Sequence, residues 1–406
     1  MSERDSRPNA GISRRSLLLG AGIAVGAAAI GDSVGHAARS AERETAIGSA
    51  TEPFYGAHQA GVRTAMQAHG VFAAFTFTDS VTASALAGVM KVATMEAERL
   101  TRGEPGLSDS DPELAVNPAR LTITFGFGHN VFAVEGGLGF SSQRPTGFDG
   151  LPAFSIDKLD PAWSGGDLLV HVGADDPLTV SHAIRHMSRV VSSIARPHYA
   201  QRGFVRAQGV APHSVTPRNL FGHVDGVSNP TTDAEFDSHV WAPADAGWFA
   251  GGTQLVFRRI AMNLPTWDLL GTTDKEKAIG RRLSNGAPLT GIHIMDRPDF
   301  DAQNDYGLKV IPEFSHMHRA HTGEGRQLFL RRPFSYDDGF AADGSPNVGL
   351  LFTAYQQNIT GQFLPVQQSL ADFDLLNLWT TPIGSSEFVI LPGCLEGGFI
   401  GETLLG

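Results

Sequence analysis

Apolar and polar positions along this chain follow two periods, and the switches between them mark its elements. Phe72 to Thr78 reads Phe-Ala-Ala-Phe-Thr-Phe-Thr, an apolar and aromatic run with strand character. Ser80 to Leu100 then brings Leu86, Val89, Met90, Val92 and Ala93 to one side at helical spacing, closed by Thr101-Arg102-Gly103. Leu121 to Phe125 alternates as a strand. Asp167 to Val172 is a stronger one that stops at Gly173-Ala174-Asp175-Asp176-Pro177, and Ser181 to Ile194 follows as a helix with Ile184, Val190 and Val191 on its apolar side.

The second half repeats this vocabulary. Gly252 to Ile260 and Gly349 to Tyr355 read as strands, Leu264–Leu270, Lys275–Arg282 and Gly361–Leu376 as helices, and Phe388 to Leu391 as a closing strand. Hairpin-length turns and alternating strands favour an α+β fold over a parallel doubly wound sheet. Two halves, residues 41–210 and 211–406 with the split near 205–220, fit a duplicated module, although no repeat is strong enough in sequence to prove duplication.

With 406 residues, 42% of them hydrophobic, the chain can bury a large core. Its net charge of −11, with no polybasic run, argues against a nucleic-acid partner and directs attention to small molecules. Residues 1–40 read as a leader. Ser13-Arg14-Arg15-Ser16-Leu17-Leu18 is a twin-arginine pattern, followed by a Gly/Ala-rich apolar stretch to Ile30 and small residues around His36-Ala37-Ala38 where a signal peptidase could cut. A merely basic, amphipathic N-terminus sits poorly with an apolar run directly after the arginine pair.

The apolar stretch is too short and too Gly-rich for a stable membrane span. Twin-arginine export carries folded proteins, so it suits a chain that takes up a cofactor before leaving the cytoplasm, bound for the periplasm or the exterior. The leader holds five Arg and three acidic residues, and removing it leaves −13. Cys394 is the sole cysteine, so no intramolecular disulfide can form despite an oxidising destination.

Three stretches carry candidate chemistry. Gly222-His223-Val224-Asp225-Gly226 sets a carboxylate between glycines, where the backbone can turn tightly against a flat ligand. Ser315-His316-Met317-His318-Arg319-Ala320-His321 holds three imidazoles, and Arg331-Arg332 a fixed cation. An Asp in such a turn is commonly structural. The His cluster by itself also fits a surface zinc or copper site, although no carboxylate or Cys cluster accompanies it. Gly126-x-Gly128 lacks the third glycine of a dinucleotide loop, because Val131 stands there, and nothing resembles a Ser–His–Asp elbow.

Gly222-x-x-Asp225-Gly226 followed by Asn229 resembles the Gly-x-x-Asp-Gly signature of the dye-decolourising peroxidase family. His316 with Ser315 before it and Ala320 after resembles that family's proximal histidine, and Arg331-Arg332 its distal arginine pair. Tyr55-Gly56-x-His58-Gln59-Ala60-Gly61, Gly165-Gly166-Asp167-Leu168, Gly349-Leu350-Leu351-Phe352, Gln362-Phe363-Leu364 and Leu391-Pro392-Gly393 extend the likeness over nearly the whole chain after the leader. Its nearest form is the exported deferrochelatase/peroxidase branch associated with iron uptake.

The resemblance implies two ferredoxin-like halves with antiparallel sheets, the second holding haem b (iron protoporphyrin IX). It implies an enzyme that reduces hydrogen peroxide and oxidises dyes, phenols or porphyrins through a ferryl-oxo intermediate, or else one that releases iron from haem. His316 would ligate iron, with Asp225 and Arg331 catalytic on the opposite face. Gly226, Val227, Ser228, His321, Thr322, Gly323 and Arg331 would line the haem, while Leu350 and Phe352 dry the pocket. A small reducing substrate, iron-uptake components and a second copy of the chain are the partners it leaves open.

The chain departs from the family at His223, at His318 and in a shortened stretch between His316 and Arg331, so His318 and His321 stay as alternative iron ligands. Trp163, Trp241, Trp248, Trp267, Trp379, Tyr336 and Tyr355 are oxidisable side chains that could relay electrons or serve as core anchors. Arg258 or Arg259, at the end of a strand, could meet a haem propionate or make a surface ion pair.

Overall fold

Strand β1 (His69–Phe77) is followed by helix α1 (Ala83–Thr101), strands β2 (Thr122–Phe127) and β3 (Leu168–Ala174), helix α2 (Pro177–Val191) and strand β4 (Ala195–Phe204). The computed structural model describes residues 47–211, 216–322 and 328–406, so the leader expected at residues 1–40 and the haem contact expected at Gly323 lie outside the described residues. Local chemistry starts the helices. Thr82 accepts the Ala85 N–H at 3.2 Å to cap α1, and Asp176 accepts the Thr179 N–H at 2.8 Å with Pro177 in the first turn of α2.

After α3 (Asp233–His239) come β5 (Thr253–Met262), α4 (Leu264–Asp268), α5 (Thr272–Ile279), α6 (His316–Arg319), β6 (Leu330–Arg331), β7 (Phe334–Phe340), β8 (Pro346–Gln356), α7 (Leu364–Phe373), β9 (Thr380–Ile390) and α8 (Glu402–Leu405). The first half pairs in the order β4–β1–β3–β2 and the second in the order β9–β5–β8–β7, all antiparallel. Both are the ferredoxin-like arrangement, an α+β fold.

The halves do not end as open sheets. Gly126 and Phe127 of β2 pair with Ile390 and Val389 of β9, and Phe204 of β4 pairs with Ser335 of β7. Because β5 pairs with both β8 and β9, the strands close into a ring with β6 continuing the β7 edge of β8. Closure removes the exposed edges that two separate sheets would present. Ile47 to Gly406 forms one unit.

Strand alternation sorts side chains between two apolar layers. Phe72, Leu169, Leu255, Phe257, Phe334, Leu351, Tyr355 and Phe388 fill the barrel, while Val71, Phe75, Val170, Val172 and Phe125 pack outward under α1 and α2. β4 escapes an apolar-run reading because one side of it meets solvent, Arg196, His198, Ala200 and Arg202 being exposed between buried Tyr199, Gln201 and Gly203, and β7 escapes it because only Phe334, Ser335 and Tyr336 are buried before an exposed Asp337–Phe340 end. The closing strand spans Thr380–Ile390, its polar first half concealed by Thr-Thr-Pro-Ile-Gly-Ser-Ser.

Arg258 and Arg259 contradict the surface reading. Arg258 is buried against Asp157, and Arg259 reaches into the barrel, 2.7 Å from Asp338 and stacked 3.8 Å from the Tyr336 ring centre. Both are committed to protein partners.

Candidate functional site

Two long connections of the second half carry the candidate groups. Residues 216–229 precede α3, and the segment between β5 and β6 contains α5 and α6. Phe221, Ala278, Ile279, Leu350 and Leu376 meet in one apolar cluster that joins them to the outer face of β8.

The loop bearing Asp225 is a hydrogen-bonded hairpin turn. Asn219 N–H donates to the His223 carbonyl at 3.0 Å, Asp225 N–H to the Pro217 carbonyl at 3.1 Å, and the Asn219 side chain accepts from Phe221 and His223. Arg218 fixes it from below, donating to the carbonyls of Gly222, Leu283 and Ser284. Asp225 then projects towards Arg331, whose Nη1 lies 3.8 Å from Asp225 Oδ1. On the backbone, the Asn229 amide bonds both the N–H and the carbonyl of Arg331, at 3.0 and 2.7 Å.

His316 opens α6, which is strapped to α7 by Arg319 and Ser369: each side chain bonds the other's carbonyl. Leu375 N–H donates to the Phe314 carbonyl at 2.9 Å. This brings the buried Asp374 carboxylate 2.6 Å from Nδ1 of His316, leaving Nε2 as the ring nitrogen available to a ligand. Burial opposes charge on this imidazole, yet the charge of Asp374 and its hydrogen bond outweigh that and raise its pKa above the usual value. Arg331 and Asp225 also act on it electrostatically, so all three groups belong to one site.

His223 lies among them. Burial foremost, then the nearby His316, Arg281 and Arg331, depress its pKa against the pull of Asp225, and its Nε2 is buried without a hydrogen-bond partner among the described residues. Ser315 Oγ, beside His316, is likewise unpartnered. A cavity of about 430 Å³ opens on the Asp225 side, lined by Asp225, Asn229, Arg331 and Leu350 and reaching Arg63 and Phe236.

The family model described as Dyp-type peroxidase, N-terminal, matches residues 59–205, and that for the C-terminal part matches residues 216–395. The chain belongs to the Dyp-type peroxidase family. It is a haem peroxidase. A dye-decolorizing peroxidase of Thermobifida fusca is 36% identical over 79% of this chain and 75% of its own, and a deferrochelatase of Yersinia pseudotuberculosis 31% identical over 97% and 95%. Among solved structures, a DyP-type peroxidase from Cellulomonas bogoriensis is 40% identical with a TM-score of 0.85, covering 88% of this chain and 99% of that one. Ferric DtpA from Streptomyces lividans is 39% identical with a TM-score of 0.84 over 89% and 98%.

The remaining expected residues are distributed unevenly. Gly226 and Val227 follow Asp225 in the turn, while Ser228 is exposed; Leu350 is buried and Phe352 half-buried on β8. His318 and His321 both pack on Phe300, at 4.9 Å, with His321 exposed and Thr322 half-buried. Among the described residues no three metal-ligating side chains converge, so the His cluster does not assemble a zinc or copper site. Trp241, Trp267, Tyr336 and Tyr355 are buried core residues, whereas Trp163, Trp248 and Trp379 are half-buried.

Three site residues escaped the sequence reading: Asp374, Arg281 and the clamping role of Asn229. Asp374 carries the sequence marks of a helix-end cap, and it does accept the Leu376 N–H at 3.0 Å, so its second oxygen gave no separate signal.

Proposed function

We propose that the chain binds haem b, which His316 would hold through Nε2, and uses hydrogen peroxide to oxidise small organic donors. The residues fit that group: an imidazole with one nitrogen held by a buried carboxylate is the arrangement of a metal-bound histidine, and an acid and a fixed cation stand within its electrostatic field. Haem, when bound, supplies the redox-active iron at which the O–O bond is broken. The 2.6 Å His316–Asp374 bond carries the reading, because such a partner fixes the ring tautomer and increases the donor strength of Nε2.

Asp225 takes the proton from one peroxide oxygen and returns it to the departing oxygen, as a general base and then a general acid. The Arg331 guanidinium stabilises the negative charge that develops as the oxygens separate. Leu350 and Phe352 cover the site with apolar surface, and water exclusion strengthens the influence of Arg331. The cavity beside Asp225 admits peroxide.

The test is visible spectroscopy of protein produced with haem supplied, comparing His316→Ala with His321→Ala. Loss of the histidine-bound haem spectrum in His316→Ala alone supports the assignment; loss only in His321→Ala transfers the ligand.

A second reading, iron release from haem, is favoured by the end-to-end similarity to deferrochelatases. Product analysis for iron-free porphyrin, run beside peroxide-dependent dye oxidation, separates the two. The twin-arginine pattern at Arg14-Arg15 supports export of the loaded protein to the periplasm or beyond.

A further inference from the structure

In an antiparallel ladder, the N–H and C=O of one residue point to the same edge, and those of its neighbours to the other. On β6 and the residue after it, Arg332 N–H donates to the Thr353 carbonyl of β8 at 3.2 Å. The polar groups of Arg331 therefore face away from β8, where no strand of the described residues lies against them. The Asn229 side chain occupies that edge, donating through Nδ2 to the Arg331 carbonyl at 2.7 Å and accepting the Arg331 N–H on Oδ1 at 3.0 Å. A primary amide offers one donor and one acceptor as a peptide does, so Asn229 acts as a one-residue strand partner for Arg331.

The same side chain is tied to the acid. Asn229 N–H donates to the Gly226 carbonyl at 3.2 Å, and Gly226 has φ +94°, a conformation that L side chains rarely adopt. A Cβ at Gly226 would stand 3.4 Å from Asn229 Nδ2. The short run from Asp225 to Asn229 is thus a bracket whose near end bears the carboxylate and whose far end grips the backbone of the arginine.

We infer that Asn229 is a positioning residue for the peroxide reaction: its amide sets the separation of Asp225 and Arg331 by locking the acid's loop to the cation's strand. This rests on the roles given to Asp225 and Arg331 above. Only an amide of this length satisfies both bonds. Asn229→Asp sets a carboxylate oxygen against the Arg331 carbonyl, and Asn229→Ala leaves both groups of Arg331 without the side chain.

The holoenzyme and its Asn229→Ala and Asn229→Asp variants are mixed rapidly with hydrogen peroxide. The second-order rate constant for peroxide falls about ten- to a hundredfold in both variants, the loss associated with ångström-scale misplacement of a catalytic group. Haem content and the rates of the later reductions by donor stay as in the parent. Hydrogen exchange at the Arg331 amide accelerates, while the Arg332 amide, bonded to Thr353, keeps its protection. In an Arg331→Leu background, Asn229→Ala slows the peroxide step no further.

Parent-like peroxide rates in Asn229→Ala, or losses that add in the double variant, overturn the inference. If a variant fails to load haem, exchange on its haem-free form decides, and unchanged Arg331 protection overturns the clamp. If Arg331→Leu by itself reacts normally with peroxide, the role of Arg331 falls, and this inference with it. A slow Arg331→Leu beside a normal Asn229→Ala removes the clamp alone.

Discussion

The Asp374 carboxylate accepts the Nδ1 proton of His316 at 2.6 Å, across 58 residues of sequence. Asp374 also caps the turn that follows α7 through Leu376 N–H, so one side chain fixes both the local backbone and the imidazole. Replacing it with Asn retains a neutral acceptor but removes the charge. Asp374→Asn should lower the rate of the peroxide reaction or the affinity for haem about ten- to a hundredfold. Stopped-flow kinetics and haem transfer to an acceptor globin measure the two effects, and parent values in both would refute the partnership.

Asp225 and Arg331 face each other at 3.8 Å, and the proposed mechanism gives them separate tasks. Asp225→Asn removes the proposed proton carrier without changing shape, and the peroxide step should slow by about 10² to 10⁴. Arg331→Leu removes the charge and should cost a comparable factor of about 10² to 10³. Haem content, read from Soret absorbance per protein, should remain near that of the parent in Asp225→Asn; unchanged kinetics in that variant would dismiss the proton shuttle.

His171 gives an acid-sensitive term in stability. It is buried in the barrel, stacked at 4.1 Å on Phe72, and neither ring nitrogen has a hydrogen-bond partner among the described residues. Burial first, and then the charge of Arg332, push its pKa from 6.5 down to about 3. Between those values the unfolded chain binds a proton that the folded chain refuses, so stability is complete above pH 6.5 and declines as pH falls towards 3. The slope from this one group approaches about 1.4 kcal/mol per pH unit. Urea unfolding of His171→Leu at a series of pH values should show a curve shallower by about one proton; an identical slope would mean that the ring is protonated in the fold.

Glu96 of α1 is buried with His186 of α2, Oε2 to Nε2 at 2.9 Å, and its other oxygen accepts from the N–H and hydroxyl of Ser108. Glu96→Ala strands His186 Nε2 and frees the loop around Ser108, and should cost about 1–3 kcal/mol, the loss associated with leaving a buried hydrogen-bonding group without its partner. Adding His186→Leu should recover part of it, because the stranded group is removed too. Equilibrium denaturation of the single and double variants provides the test, and strictly additive losses would show that the two side chains do not interact.

Local pattern and composition were sufficient for the α+β class, for both outer helices of the first half, and for the apolar strands β1, β3, β5 and β8. Those elements are set by short-range periodicity, which survives in any sequence that must bury one side of a helix or both faces of a strand. The placement of Asp225 in a Gly-flanked turn and the likeness to a peroxidase family were legible in the same way, in contiguous residues.

What lies far apart along the chain was decided by the fold alone. Ring closure depends on Gly126 and Phe127 meeting Ile390 and Val389, and the bond from Asn229 to Arg331 spans 102 residues. Neither leaves a local trace, since an Asn in a turn or an Asp at a helix end is already explained by its own backbone. Asp374 became a histidine's partner, and Asn229 an arginine's, only because the connections of the second half return over the outer face of β8. A side chain's second hydrogen-bonding atom is assigned by whatever packing brings within 3 Å of it, and a one-dimensional pattern carries no record of that.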